Sequence, residues 1–178
     1  MKDKLLLHVC CAPCSTHPIE VLKGEYDVTL LFFNPNIHPS EEYNKRLNEA
    51  IKLSKILDIP LVEIKEDESV WLKLVKGHEN DKEGSDRCLI CFKHRLNKSA
   101  DFAKLKGFSA FTTTLSVSPY KNSKEINKIG SELENQYGIR FLTSDFKKKD
   151  GYKKSIEHSK KHELYRQHYC GCVYSMKQ

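Results

Sequence analysis

The chain has 178 residues, of which 39% are hydrophobic and 30% charged, the balance of one soluble domain able to bury its own core. Its longest apolar runs, Leu5-Leu6-Leu7 and residues 28–33, are too short to cross a bilayer, and Met1-Lys2-Asp3-Lys4 before a short apolar run gives no expectation of a secretory signal. A cytoplasmic, membrane-free protein with reduced thiols is expected, which turns its seven cysteines away from structural disulfides and toward metal or redox chemistry.

Residues 4–10 (KLLLHVC) read as a buried strand. Ser15 or Thr16 is the expected cap of a helix with Pro18 in its first turn, stopped at Gly24. Residues 27–33 form a second strand that is apolar on both faces, as in the centre of a parallel sheet. After an Asn- and Pro-rich loop, Ser40 starts a long helix striped by Leu47, Ala50, Ile51, Ser54 and Leu57. Pro60 breaks it, and residues 61–64 give a third strand. This β-α-β-α-β opening predicts an α/β fold with a doubly wound parallel sheet.

A short helix is expected over 70–75, then a polar loop over 78–87. Cys88 opens a helix running to Lys106, and residues 108–113 make a fourth strand. The Thr112 to Ser116 segment then lies at a strand end, the position that faces the ligand crevice in open α/β sheets. Ser123 caps a helix ended by Gly138, and a short strand follows over 140–142. Residues 152–165 read as a basic helix. From Arg140 to His168 nine Lys or Arg stand against four Asp or Glu, with Tyr152, Tyr165 and Tyr169 interleaved. Such a stretch is either a solvated helix face or a surface that tracks phosphates and stacks bases.

All seven cysteines fall in three groups: Cys10, Cys11 and Cys14; Cys88 and Cys91; Cys170 and Cys172. Core-filling cysteines would be scattered, so the grouping points to one site assembled by folding. The first group occupies the strand–loop–helix position that binds phosphate in nucleotide folds, yet the loop CCAPCS has no glycine to bring backbone amides to a phosphate. Two C-x-x-C pairs suit zinc or an iron–sulfur cluster, but their separation far exceeds the roughly 15–20 residues of a zinc ribbon. Seven thiols exceed four ligands, which implies a second job. Cys170-Gly171-Cys172 is either two further ligands or a redox pair, because a disulfide across one residue is strained and labile. Asp86 can ligate iron, supply a proton or cap the helix at Cys88. His8 reads as a core histidine, and His38 either hydrogen-bonds substrate or is a solvated loop residue; Arg95, Tyr120 and Arg166 are candidate phosphate or base contacts.

The combination of HVCCAPC, RCLICFKHRL and YCGC, in this order and across essentially the whole chain, resembles the cobalamin-independent epoxyqueuosine reductase family, QueH. The resemblance implies an adenine-nucleotide-hydrolase-like Rossmann domain over residues 1–178, with helices on both faces and a basic helical C-terminal part. It implies reduction of epoxyqueuosine at the tRNA wobble position to queuosine, with loss of water, without cobalamin or ATP. Carried over by position, Cys10, Cys11, Cys88 and Cys91 match the ligands of a [4Fe–4S] cluster. Cys170 and Cys172 match the redox-active pair. Cys14 is left over, as a residue facing substrate or, with Asp86, as a ligand of an additional mononuclear iron. The partners implied are the tRNA anticodon stem-loop carrying epoxyqueuosine and an external electron donor.

Two rival readings stand beside this one. An iron–sulfur tRNA sulfur transferase of the same fold would need a Ser-Gly-Gly pyrophosphate loop, which the chain lacks. A zinc-stabilised RNA-binding module would contain zinc without iron or sulfide.

Overall fold

The computed structural model describes residues 2–177. Five parallel strands, β1 (Asp3–His8), β2 (Tyr26–Phe32), β3 (Leu61–Glu63), β4 (Ala110–Thr113) and β5 (Arg140–Phe141), form one sheet in the order β3-β2-β1-β4-β5. Strand order therefore reverses between β1 and β4, and this switch point is where α/β folds open a crevice. Leu5 pairs with Val28 on one side and Ala110 on the other, so β1 is the central strand.

Alternation along β1 builds two cores. Leu5, Leu7 and Val9 face α1 (Ala12–Leu22) and α2 (Ser40–Leu57), meeting Ile19 and Leu53. Leu6 turns to the other face, where α4 (Asp86–Leu105) and α5 (Ser123–Tyr137) supply Leu96, Ala100, Ile126 and Leu133. Leu5, Leu6 and Leu7 are wholly buried, each contributing about 1.5–3 kcal/mol. A smaller cluster forms where α3 (Glu68–Leu74) sets Trp71 against Cys91, Cys172 and Tyr174. No helix among the described residues is long and apolar enough to cross a membrane.

The expected α/β sheet with helices on both faces is present, but several boundaries move. α1 begins at Ala12 with Cys11 in the cap position, not at Ser15 or Thr16. Pro13 sits in its first turn, where a missing N–H costs nothing. Ser15 and Thr16 lie inside the helix and donate back to the Cys11 and Pro13 carbonyls at 2.7 and 3.0 Å. Asn122, rather than Ser123, caps α5 by accepting from the Lys124 amide at 3.0 Å. The basic helix α6 (Gly151–Lys161) ends before residue 165, because Glu163 takes a left-handed φ of 50°. Its buried Gly151, Ser155 and Ser159 leave the lysines outside.

Candidate metal and redox centre

The end of β1 and the start of α1 place three thiols together. The sulfurs of Cys10, Cys11 and Cys14 lie within 4.8 Å of one another, with Cys10 and Cys11 at 3.8 Å. Cys10 is pinned by Thr114, whose hydroxyl lies 3.5 Å from its amide and 3.7 Å from its sulfur. Thr114 follows β4, so adjacent strands at the switch point build this corner together. Cys11 is buried, and its sulfur accepts from Gln167 Nε2 at 2.9 Å.

Cys88 and Cys91 stand one turn apart at the start of α4. The Gly84 amide lies 3.2 Å from the Cys88 sulfur. Arg87 packs the preceding loop onto the helix by donating to the carbonyls of His78, Glu79 and Asp81 at 3.0, 3.1 and 2.6 Å. Cys170 and Cys172 arrive on the C-terminal loop. Together with Cys88, Cys91 and Trp71 they line a cavity of about 90 Å³. Cys170 also lines a wider adjoining cavity of about 330 Å³, bordered by Cys10, Cys14, Tyr120, Lys121 and Arg166. All three cysteine groups thus converge on two cavities that share Glu83, Tyr120, Lys121 and Cys170. The four ligands implied by the resemblance come from both groups: Cys10 and Cys11 belong to the tight trio, Cys88 and Cys91 to the neighbouring cavity wall.

The local electrostatics favour one thiolate in the trio. Hydrogen bonds from the Cys11 and Cys14 thiols hold Cys10 well below the usual thiol range, and the charges of Arg95 and Lys121 act the same way. The same sharing pushes Cys11 up to about 12 and Cys14 well above its ordinary value. Burial pushes Cys91 up to about 11 and raises Cys88 and Cys172. For Lys121, burial works against the charged form, but Cys170, Cys10 and Cys14 outweigh it and raise its pKa. The donor set fits a soft metal or cluster: all seven sulfurs are free of disulfides, and three of them close a ligand triangle.

Other expected residues are placed less uniformly. Asp86 is exposed at the first residue of α4, while Ser85 holds the cap position, so the capping reading is corrected. Asp86 borders neither cavity, and its carboxylate complements the helix dipole. His38 is buried rather than solvated; it pairs with Glu68 at 3.1 Å and packs on Trp71. Arg95, Tyr120 and Arg166 all line the wider cavity. Arg95 is only 2% exposed; it donates to Asn34 Oδ1 at 2.5 Å and lies 4.0 Å from the Cys91 sulfur. Lys121 and Arg46 also border the site, yet neither belongs to a cysteine motif that would single it out in the sequence.

The family model for epoxyqueuosine reductase QueH matches residues 5–178. The chain belongs to the epoxyqueuosine reductase QueH family. It is 40% identical to an epoxyqueuosine reductase QueH of Acinetobacter baylyi, covering 98% of this chain and 81% of that protein. The corresponding protein of Streptococcus pyogenes serotype M1 is 39% identical over 99% of this chain and 72% of its own length. That of Thermotoga maritima is 37% identical over 97% of this chain and 90% of its length. Members of the QueH family are oxidoreductases, and this chain is an enzyme of that class. Among solved structures, the chain resembles the U34-tRNA thiolase NcsA from Methanococcus maripaludis with its [4Fe-4S] cluster (TM-score 0.63, 12% identity, 98% of this chain and 61% of that one). It also resembles a predicted subunit of a tRNA methyltransferase from Methanocaldococcus jannaschii (TM-score 0.57, 20% identity, 85% of this chain and 76% of that one). At these identities the two structures speak for the fold alone.

Proposed function

We propose that this chain reduces the epoxide of epoxyqueuosine in the tRNA anticodon loop, with Cys10, Cys11, Cys88 and Cys91 holding a [4Fe–4S] cluster. The observation that carries this reading is the convergence of all three cysteine groups on adjoining cavities at the sheet's switch point. When bound, a cluster held by these four thiolates would supply one-electron transfer.

The chain's own residues do the rest. Turning the epoxide into an alkene and water takes two electrons and two protons. Oxidation of the Cys170 and Cys172 dithiol to a disulfide releases that number of each, so the step balances. An external donor then restores the dithiol. The modified base is splayed from its loop into the wider cavity, where Tyr120, Tyr152 and Tyr169 offer stacking faces. The Lys121 ammonium lies on the wall common to both cavities and is placed to bind the departing oxygen. Cys14 faces the same cavity, where it would touch substrate or hold an additional iron.

Anaerobic purification with iron and sulfide quantification tests the centre. The expected spectrum has a shoulder near roughly 400 nm, and Cys→Ser at Cys10, Cys11, Cys88 or Cys91 abolishes both it and activity. Protein that carries zinc, with neither iron nor sulfide, would overturn the cluster. Mass spectrometry of epoxyqueuosine-containing tRNA incubated with reductant tests the reaction. Unaltered turnover by Cys170→Ser would overturn the redox role.

A further inference from the structure

The loop that carries Cys170 and Cys172 is held from outside at three successive carbonyls. Arg46 reaches it from the middle of α2 and is only 2% exposed. Its NH1 donates to the Cys170 carbonyl at 2.9 Å and its NH2 to the Tyr169 carbonyl at 3.1 Å. Its Nε donates to Glu42 at 2.6 Å, one helical turn away, so the charge is paired while the fork faces the loop. Glu42 also accepts from the Tyr165 hydroxyl at 3.1 Å, tying in the segment that leads to the pair. The Gly171 carbonyl accepts from the His38 amide at 2.8 Å.

The residue between the two thiols has no room for change. Gly171 has a φ of 108°, which disfavours any side chain. A Cβ there would come within 2.9 Å of Arg46 NH1 and 3.0 Å of Ile37 Cγ1. The fork is thus fitted to one backbone conformation of the Cys-Gly-Cys loop, with both thiols free. A disulfide between residues i and i+2 closes a small ring through the same backbone, so its geometry is coupled to the dihedrals that the fork holds. Any contact that fixes the open conformation opposes ring closure.

We infer that Arg46 is a positioning residue for the Cys170 and Cys172 pair: its fork on the Tyr169 and Cys170 carbonyls stabilises the dithiol loop over the disulfide loop and so raises the pair's reduction potential. This rests on the redox role proposed above. The device has a chemical use, because a disulfide kept unstable is readily reduced again by an external thiol or electron donor. Lysine cannot replace the arginine, since a single ammonium cannot serve two carbonyls and Glu42 in one plane.

The test equilibrates the full-length protein anaerobically in graded dithiothreitol redox buffers, then measures the Cys170–Cys172 disulfide by alkylation and peptide mass spectrometry. Arg46→Lys is expected to shift the equilibrium toward the disulfide about tenfold, or about 30 mV in potential. Gly171→Ala attacks the same contact from the loop side and is expected to shift it in the same direction, with the double variant less than additive. A purely structural arginine would lower the melting temperature and leave this equilibrium unmoved. A wild-type equilibrium in both single variants, or a shift toward the dithiol, overturns the inference about Arg46 alone. Wild-type protein that forms no Cys170–Cys172 disulfide in any buffer overturns the redox reading and the inference with it.

Discussion

His8 lies near the end of β1, two residues before the first thiol, and is wholly buried. Its Nδ1 meets the Thr113 hydroxyl at 2.8 Å and its Nε2 meets the Phe33 carbonyl at 3.1 Å. Burial and the nearby Arg95 charge lower its pKa from 6.5 to about 3. The ring is therefore neutral at working pH, donating to Phe33 and accepting from Thr113. A histidine whose folded pKa is depressed contributes its full stability above the unfolded value of about 6.5. As pH falls from there toward 3, the unfolded chain takes up a proton that the folded one refuses. Stability then declines by up to about 1.4 kcal/mol per pH unit from this group. His8→Gln can keep a donor and an acceptor without the titration. Urea unfolding at pH 7, 5.5 and 4 should show the wild type losing more stability than His8→Gln; parallel losses would refute the assignment.

At the scale of elements, close approach of α5 to β5 depends on one missing side chain. A Cβ on Gly130 would come within 2.2 Å of the Phe141 ring, which is buried and packs edge-on against Phe111. Gly130→Ala is expected to cost about 1–3 kcal/mol, since overpacking outweighs the helix propensity gained. The change should appear in the midpoint of chemical denaturation with the slope unaltered. Gly130 was legible as a member of a helix stripe, though nothing in the stripe announced the aromatic ring against it. The central strands were legible as short runs apolar on both faces, and α2 and α5 by their helical stripes. The start of α1 was not, because Ser15, Thr16 and Pro18 imitate a cap and first turn, while the true first turn lies further toward the N-terminus and holds Pro13. The candidate site was legible through its cysteines, whose residue type carries chemistry wherever they sit. Arg46 was not, because Glu42 and Arg46 four apart on a helix look like an ordinary surface pair. Only the fold reveals that Glu42, Arg46, Glu49 and Lys52, spaced along one face of α2, all hold the segment from Glu163 to Cys170.

Across the whole molecule, charge and chemistry are separated but adjacent. α6 packs on α1 through its small residues and leaves Lys153, Lys154, Lys160 and Lys161 exposed, with Lys148 and Lys149 just before it. The chain then runs through Arg166, His168 and Tyr169, which border the wider cavity, and ends this segment at Cys170. In the proposed reaction such a surface would hold the phosphates of the anticodon stem while the cavity takes the base. Phosphate contacts of this kind release counterions, so the logarithm of affinity falls linearly with the logarithm of salt, by about 0.7–0.9 per neutralised phosphate. Lys153→Gln/Lys154→Gln should therefore weaken binding of an anticodon stem-loop RNA and flatten that salt slope by about 1.4–1.8 if both lysines touch phosphates. Because neither lysine borders the cavities, turnover at saturating tRNA should stay near wild type while KM rises. Fluorescence-anisotropy titrations at several salt concentrations, with steady-state kinetics on the same preparations, separate the two effects. An unchanged salt slope would place the stem elsewhere on the surface. A fall in turnover at unchanged slope would mean that α6 shapes the catalytic loop rather than the RNA contact.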